Sequence, residues 1–430
     1  MTTVRPPRPQ PRTEPAAERA SSAARVTVKR LFVAEGGNFF LLLGTTVFLV
    51  IFGLVMVLSS SSIESHLSTG SFFGEFLRQA LWAILGIPLM LIVSRVPSTF
   101  WKKWAWLGLG VGMIGQILVF TPLGYGYGGN RNWLDFGVFQ AQPSELVKVA
   151  LIIWIAFLLT SKRGLLHDWK HVLLPIGPIA GLAIGLVLLG QDLGTAVIML
   201  AIVFGALYYA GVRMRHLIIA FSAIAVVGVA FAFTGSSRTK RINAWMYGCT
   251  PADYEYFCWQ PTHGTWALAS GGVFGVGLGN SKAKWSWLPE AQNDYIFAII
   301  GEELGLIGAV VVLLLFVVLA FAFIRILRAN KDPFARIVTA GVMTWIIGQA
   351  LVNIAVVLQV LPVLGVPLPL ISAGGSALIS TLIAIGVVLS FARNRAPSES
   401  GLDPAAASIP VPSPAERSRL AAAQRVRQER

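Results

Sequence analysis

The chain has 430 residues, of which 55% are hydrophobic and only 13% charged, about half the charged share of a soluble domain. A water-soluble fold is therefore excluded. The net charge of +14 would suit nucleic acid in a soluble protein, but seven Lys or Arg fall in residues 1–36 and seven in 391–430, in Pro-, Ala- and Ser-rich tails that read as disordered and suited to anionic headgroups, with no nucleic-acid partner.

Residues 1–36 form the first basic tail, and no cleavable signal peptide is expected, because a long polar stretch precedes the first apolar run and no A-x-A site follows a short one. From there, apolar runs long enough for a hydrocarbon core of ~30 Å recur through the chain. They predict helices at 39–60, 77–94, 104–121, 144–160, 172–189, 193–211, 217–234, 295–324, 337–358 and 374–391. The expected fold is thus all-α and polytopic, with about ten transmembrane helices filling a domain of residues 37–392. With the N-terminus in the cytoplasm, the inner loops hold Arg95, Lys102, Lys103, Lys162, Arg163, Lys170, Arg213, Arg215, Arg325, Arg328, Lys331 and Arg336, against Arg78 and Arg131 in short outer segments. That asymmetry fits the positive-inside rule and returns the C-terminus to the cytoplasm.

Three outer loops stand out. Pro122 to Gln142 and Leu361 to Gly374 are Gly- and Pro-rich, and the loop between helices 7 and 8, residues 235–293, is far longer than the rest. Loops of that length usually carry function, and all three are expected on one outer face. The last region, 393–430, is a cytoplasmic tail in which Ser413-Pro414-Ala415-Glu416 is a capping box that predicts a short helix at 414–429.

Charged residues near the outer face are the candidates for chemistry. In the first of these loops, Arg131 has the fork geometry for phosphate oxygens, and Trp133 is either an interfacial belt residue or a sugar-stacking ring. Glu145 and Lys148, three apart at the start of helix 4, read as a structural ion pair, and Asp192 as the cap of helix 6. Cys249 and Cys258, the only cysteines, both lie in the large outer loop and read as a stabilising disulfide. Lys282, Lys284, Glu290 and Asp294 converge where that loop re-enters the membrane. From spacing alone Asp294 is either an N-cap or a reactive carboxylate. Glu302 and Glu303 follow inside the next helix; as neighbours ~100° apart, at most one is expected to face a shared cavity, and outward snorkelling is the alternative.

Several blocks in order resemble the SEDS family (shape, elongation, division and sporulation) over residues 40 to 392. They are Arg131-x-Trp133 with Gln142-Pro143-Ser144-Glu145-x-x-Lys148, Asp192-Leu193-Gly194, Gly271-Gly272-x-x-Gly275-x-Gly277, Leu288-Pro289-Glu290-Ala291 through Asp294, Gly301-Glu302-Glu303-x-Gly305, and Leu368-Pro369 with Ser372-x-Gly374-Gly375-Ser376. Two departures are the usual Pro before Asp192, here Gln191, and an aromatic replaced by Ala373. The resemblance implies an inverting peptidoglycan glycosyltransferase that joins lipid II through β-1,4 bonds and releases undecaprenyl pyrophosphate. It places the functional acid at Asp294; Arg131, Trp133, Lys282, Lys284, Glu290, Gln260, Ser372, Gly374, Gly375 and Ser376 are the substrate-binding candidates around it. A sugar 4-hydroxyl needs one base, and the departing pyrophosphate one anion site, formed by Arg131, Lys282, Lys284 or a divalent cation such as Mg or Mn. The same resemblance implies a bacterial inner-membrane protein acting at the division septum beside a class B penicillin-binding transpeptidase and other division proteins. A flippase for the same lipid, an elongation-type paralogue and a non-catalytic scaffold are the rival readings.

Overall fold

In a computed structural model of the chain, residues 36–393 are described, except 128–129, 138, 233–235, 250 and 252–253. The two basic tails and the helix expected at 414–429 lie outside the described residues. Each of the ten apolar runs becomes a helix: α1 (Gly37–Thr69), α2 (Gly74–Val93), α3 (Ser98–Leu118), α4 (Pro143–Ser161), α5 (Trp169–Leu189), α6 (Leu193–Ala210) and α7 (Met214–Ala232), followed after the large loop by α10 (Ile296–Ala329), α11 (Pro333–Val357) and α12 (Gly375–Ala392). Eight of them, all but α3 and α7, are long and apolar enough to cross a membrane by length and composition. The fold is that of an all-α polytopic membrane protein.

The helices sort by how much of their surface is covered. In α4, 72% of the apolar span is buried, the largest share of any span, and it touches α3, α6, α11 and α12. Its residues Val147 to Ile155 are apolar nearly all round, as a core helix must be. Around it, α2 packs on α12, α1 on α2 and α10, and α6 on α11. Outer faces such as Phe48, Ile84, Val111, Ile114, Leu182, Ile218 and Val317 stay exposed, the pattern of helices whose solvent is lipid rather than water.

The loops hold more structure than the sequence suggested. Between α3 and α4, strands β1 (Gly124–Tyr127), β2 (Asn130–Asp135) and β3 (Gln140–Ala141) form an antiparallel sheet in that order, pairing Tyr125 with Trp133 and Leu134 with Ala141. Within the long loop lie α8 (Ser236–Tyr247), a π-helical turn (Tyr254–Cys258) and α9 (Trp259–Gly271), so residues 235–293 are largely folded rather than open loop. These helices escaped the sequence reading because they are short and lack an apolar run of membrane length. Cys249 and Cys258 are joined by a disulfide that ties the end of α8 to the start of α9.

The long helix α10 is broken. Gly305 has φ 67 and ψ −167, which separates a segment 296–304 from the span that follows. A break at membrane depth frees main-chain groups that must be paired by protein, and the glycine-rich turn after α9 pairs them. Val276 N and Gly277 N donate to Glu302 O and Glu303 O at 3.0 Å, while Leu306 N and Ile307 N donate to Gly272 O and Val273 O at 2.9 and 3.2 Å. The backbones approach so closely that a Cβ on Gly275 (φ 81) would collide with Glu303 O, and one on Gly305 with Gly275 N. The spacing Gly271-Gly272-x-x-Gly275-x-Gly277 is the sequence trace of that contact.

Candidate functional site

Asp294 stands at the entrance of the broken helix, where all three loops meet. The third loop is stitched to it by side chains from the helices. Asn353 of α11 donates from Nδ2 to Asp294 O at 2.7 Å and to Val366 O at 2.8 Å. Gln349, one turn earlier, donates to Pro367 O at 2.9 Å. Ser372 donates to Asn293 O at 2.7 Å, and Ala373 N to Gln292 O at 2.9 Å. The first loop joins through Gln142, whose N–H donates to Ser376 Oγ at 3.3 Å and whose Nε2 donates to Asp192 Oδ2 at 3.2 Å. The large loop is anchored by Trp245 Nε1 donating to Gln359 O at 2.9 Å, while Gln359 Nε2 donates to Pro261 O at 3.0 Å.

The half-buried Asp294 is not a cap. Tyr295 occupies the N-cap position of α10, with no side-chain cap bond. Among the described residues, Asp294 is the one buried or half-buried carboxylate with no hydrogen bond to either oxygen. Its Oδ2 lies beside Gly365, 3.6 Å from where a Cβ would stand. Burial pushes its carboxyl up to about 7, helped by the charges of Glu290 and Asp192 and opposed by Arg241 on α8. Arg241 was not singled out in the sequence, since nothing in its own segment points to Asp294; the fold brings its charge there.

The other acidic candidates each hold at least one partner, although Glu145 Oε2 is buried without one. Lys148 Nζ stands 2.8 Å from Glu145 Oε1 and 3.2 Å from Gln349 Oε1, over the Trp345 ring, with both charges almost fully buried. Asp192 caps α6, accepting from Thr195 N at 2.8 Å and Thr195 Oγ1 at 2.7 Å, and burial nonetheless pushes its carboxyl up. Gln191 before it has φ 65, which the proline ring usual there cannot adopt. Glu302 accepts from Ser281 Oγ at 2.5 Å and Lys282 N at 2.9 Å, and Glu303 from Ser59 Oγ of α1 at 2.6 and 2.7 Å and from Ser281 N at 3.4 Å. Both carboxylates therefore face the same turn, 281–284, against the expectation that only one would; the helix ends two residues on, and the turn wraps across its last residues. Neither snorkels outward.

The expected substrate residues divide. Lys282 and Arg131 are exposed, the latter with one donor on Thr121 O at 2.9 Å, and Trp133 is half-buried in the sheet. Lys284 is turned inward instead, 2.6 Å from Gly279 O and 3.4 Å from Glu303 Oε1, because a buried Glu303 demands a counter-charge. Glu290 accepts from Asn293 Nδ2 at 2.5 Å, and Gln260 donates to Pro289 O at 3.1 Å. Ser372 is buried and spent on main-chain bonds, including Leu368 N at 2.8 Å. Gly374 N donates to Gln79 at 3.0 Å, and Gly375 lies against Trp82, so these two shape the loop. Ser376 is held by Gln142. The sequence reading passed over Asn353 and Gln349, although Trp345, Gln349 and Asn353 at intervals of four make a polar stripe on an otherwise apolar helix. No cluster of three or more His, Cys, Asp or Glu suited to a metal occurs among the described residues; a magnesium ion held by one carboxylate and the phosphates of a substrate needs no such cluster.

Comparison with known proteins follows the same lines. The family model of FtsW, RodA and SpoVE, described as cell cycle protein, matches residues 40–396. The probable peptidoglycan glycosyltransferase FtsW of Mycobacterium tuberculosis (strain ATCC 25618 / H37Rv) is 38% identical over 359 residues, 83% of this chain and 68% of that protein. The stage V sporulation protein E of Bacillus subtilis (strain 168) is 34% identical over 355 residues, 82% of this chain and 96% of that protein. Among solved structures, the rod shape determining protein RodA of Thermus thermophilus matches with a TM-score of 0.62 at 25% identity, over 84% of this chain and 97% of that one. A chain of a peptidoglycan synthase complex that coordinates polymerization and crosslinking shares the fold, with a TM-score of 0.67 at 24% identity over 82% and 96%.

Proposed function

Because this chain belongs to the FtsW, RodA and SpoVE family of cell cycle proteins, we propose that it is a peptidoglycan glycosyltransferase of the FtsW type, polymerising lipid II on the outer face of the cytoplasmic membrane. The division role rests on the FtsW relatives at 38% identity, and with it the septal location. The excess of Lys and Arg in the loops at the opposite end of the bundle supports an outer position for the Asp294 end.

One observation carries the catalytic reading: a half-buried carboxylate left without a hydrogen bond where three loops converge. An acid held near pH 7 is matched to general-base work. In the reaction, the 4-hydroxyl oxygen of the acceptor sugar attacks C1 of the donor while its proton passes to Asp294. The C1–oxygen bond to pyrophosphate breaks on the opposite face, and undecaprenyl pyrophosphate leaves with the electron pair, inverting C1. Exposed cations, Arg241 and Lys282 foremost, draw the pyrophosphate, with Arg131 at the neighbouring loop. Lys284 is left out, being committed to Glu303. The isoprenoid chains stay in the bilayer against the exposed apolar faces of the bundle.

A class B transpeptidase that cross-links the product is the partner we propose, in line with the complex whose fold this chain shares. The test is polymerisation of lipid II by the purified pair, read on a gel, with Asp294→Ala and with magnesium or chelator added. Unchanged polymer from the variant would overturn the assignment, and translocation of lipid II without polymer would favour a flippase.

A further inference from the structure

At the end of the bundle away from Asp294, a cleft of about 60 Å³ opens between the last turns of α4 and α6, the short 3-10 turn Arg163–Leu165, and the first turn of α11. α4 runs from Pro143, beside the first outer loop, to Ser161, which is 19 residues or about 28 Å at 1.5 Å per residue. The cleft therefore lies a bilayer's width from the proposed catalytic end, among the basic residues read as cytoplasmic.

Its walls are of two kinds. Leu159, Leu166 and Ile337 form an apolar floor, each buried. Arg163, Arg336 and Tyr209 line it with exposed side chains. Among the described residues, neither guanidinium has a hydrogen-bond or ion-pair partner in its side chain. The acid one turn before Arg336 does not supply one: Asp332 accepts from Lys102 Nζ at 3.0 Å and from Phe334 N at 3.0 Å. Two guanidinium groups from separate segments thus share one small cleft with no counter-charge, an arrangement that calls for an anion.

The apolar floor selects among anions. Inorganic phosphate is hydrated on all sides and has no use for three buried aliphatic side chains. A phosphate diester carrying glycerol and acyl chains does, and the cleft sits where three spans end, at Ser161, Ala210 and Pro333, at the depth of lipid headgroups. We propose that this cleft binds the phosphate of an anionic phospholipid at the inner membrane surface, with Arg163 and Arg336 on its oxygens and the glycerol over Leu159, Leu166 and Ile337.

The full chain in detergent is titrated with phosphatidylglycerol and, separately, phosphatidylcholine, and bound lipids are counted by native mass spectrometry. The wild type is expected to hold one phosphatidylglycerol more tightly than any phosphatidylcholine. The Arg163→Ala/Arg336→Ala double variant should bind that lipid about 25-fold more weakly, roughly fivefold for each arginine, and the double lysine variant should recover part of the affinity. Both side chains are exposed, so the fold survives the change, and an unaltered circular dichroism spectrum confirms it. Equal binding of the two lipids, or full retention by the alanine variant, overturns the proposal. So does displacement of the lipid by inorganic phosphate at matching concentration, which would make the cleft a site for a free phosphate. The readout is binding, so it stands or falls separately from the role of Asp294.

Discussion

Asp294 and the pair Glu302 and Glu303 lie about two helical turns apart on one stretch of chain, and the protein treats them in opposite ways. The pair is saturated: hydroxyls, main-chain N–H groups and the Lys284 ammonium reach its four oxygens, and one of those hydroxyls comes from α1. Asp294 has an amide from α11 on its main-chain oxygen and, among the described residues, no hydrogen bond on its carboxylate. The first arrangement spends charge on holding the loop to the bundle. The second holds the backbone still and leaves the charged atoms available, which is what a base requires.

The largest test of that contrast is Asp294→Asn, which should lower polymerisation by roughly 10² to 10⁴-fold, the usual worth of a general base, with no loss of thermal stability because no bond is removed. Its pH signature follows from a carboxyl pushed up to about 7. Wild-type rate should rise with pH through about 7 and level off above it, as the base loses its proton, and the residual rate of the variant should lack that step. Stability runs the other way. A raised carboxyl favours its neutral form in the fold, so its contribution is complete below the ordinary value of 3.8 and is lost as pH rises through about 7; melting curves of wild type and Asp294→Asn across that window should converge at low pH.

Glu303→Ala should do the reverse of Asp294→Asn. It strands a buried Lys284 ammonium and should cost about 3–5 kcal/mol of stability, read as a lowered melting temperature, with activity falling only as the folded fraction falls. Asn353→Ala sits between the two, leaving two loop carbonyls unpaired at about 1–3 kcal/mol and loosening Asp294. A drop of about tenfold in turnover with lipid II affinity unchanged would assign it to positioning. The smallest effect on activity is expected from reducing Cys249–Cys258, whose stabilisation of about 2–3 kcal/mol on the chain-entropy account is confined to the α8–α9 junction. Lost activity there would mean that the large loop contributes more than anchoring.

Much of the scaffold was legible in the sequence, for a physical reason. Lipid-facing helices advertise themselves through long apolar runs, and all ten runs became helices. What escaped was written in tertiary terms. Gly305 reads as an ordinary helix residue until the turn of Gly272 to Gly277 is laid against it, and Lys284 reads as a free cation until Glu303, 19 positions on, is folded over it. Asp294 itself was ambiguous by spacing, since a cap and a base occupy the same place before a helix. Resemblance singled it out, and only geometry showed that its carboxylate caps nothing. Arg241 and Asn353 had no local signal strong enough to weigh, except the four-residue rhythm of α11.

The third loop is held by its buried side chains and, at several points, by grips on its main chain. Asn353 and Gln349 grip the carbonyls of Val366 and Pro367, and the Ser372 hydroxyl bridges Leu368 N and the carbonyl of Asn293. Grips of that kind do not depend on which side chains the gripped residues carry. Val366, Leu368, Leu370 and Ile371 are fixed by packing in the core, but the half-buried positions Leu361 to Leu364 and Ala373 can vary in composition while the loop's course past Asp294 stays put. On the proposed role of Asp294, the positions open to variation are separate from the main-chain grips that fix its backbone, so the one can change without rebuilding the other.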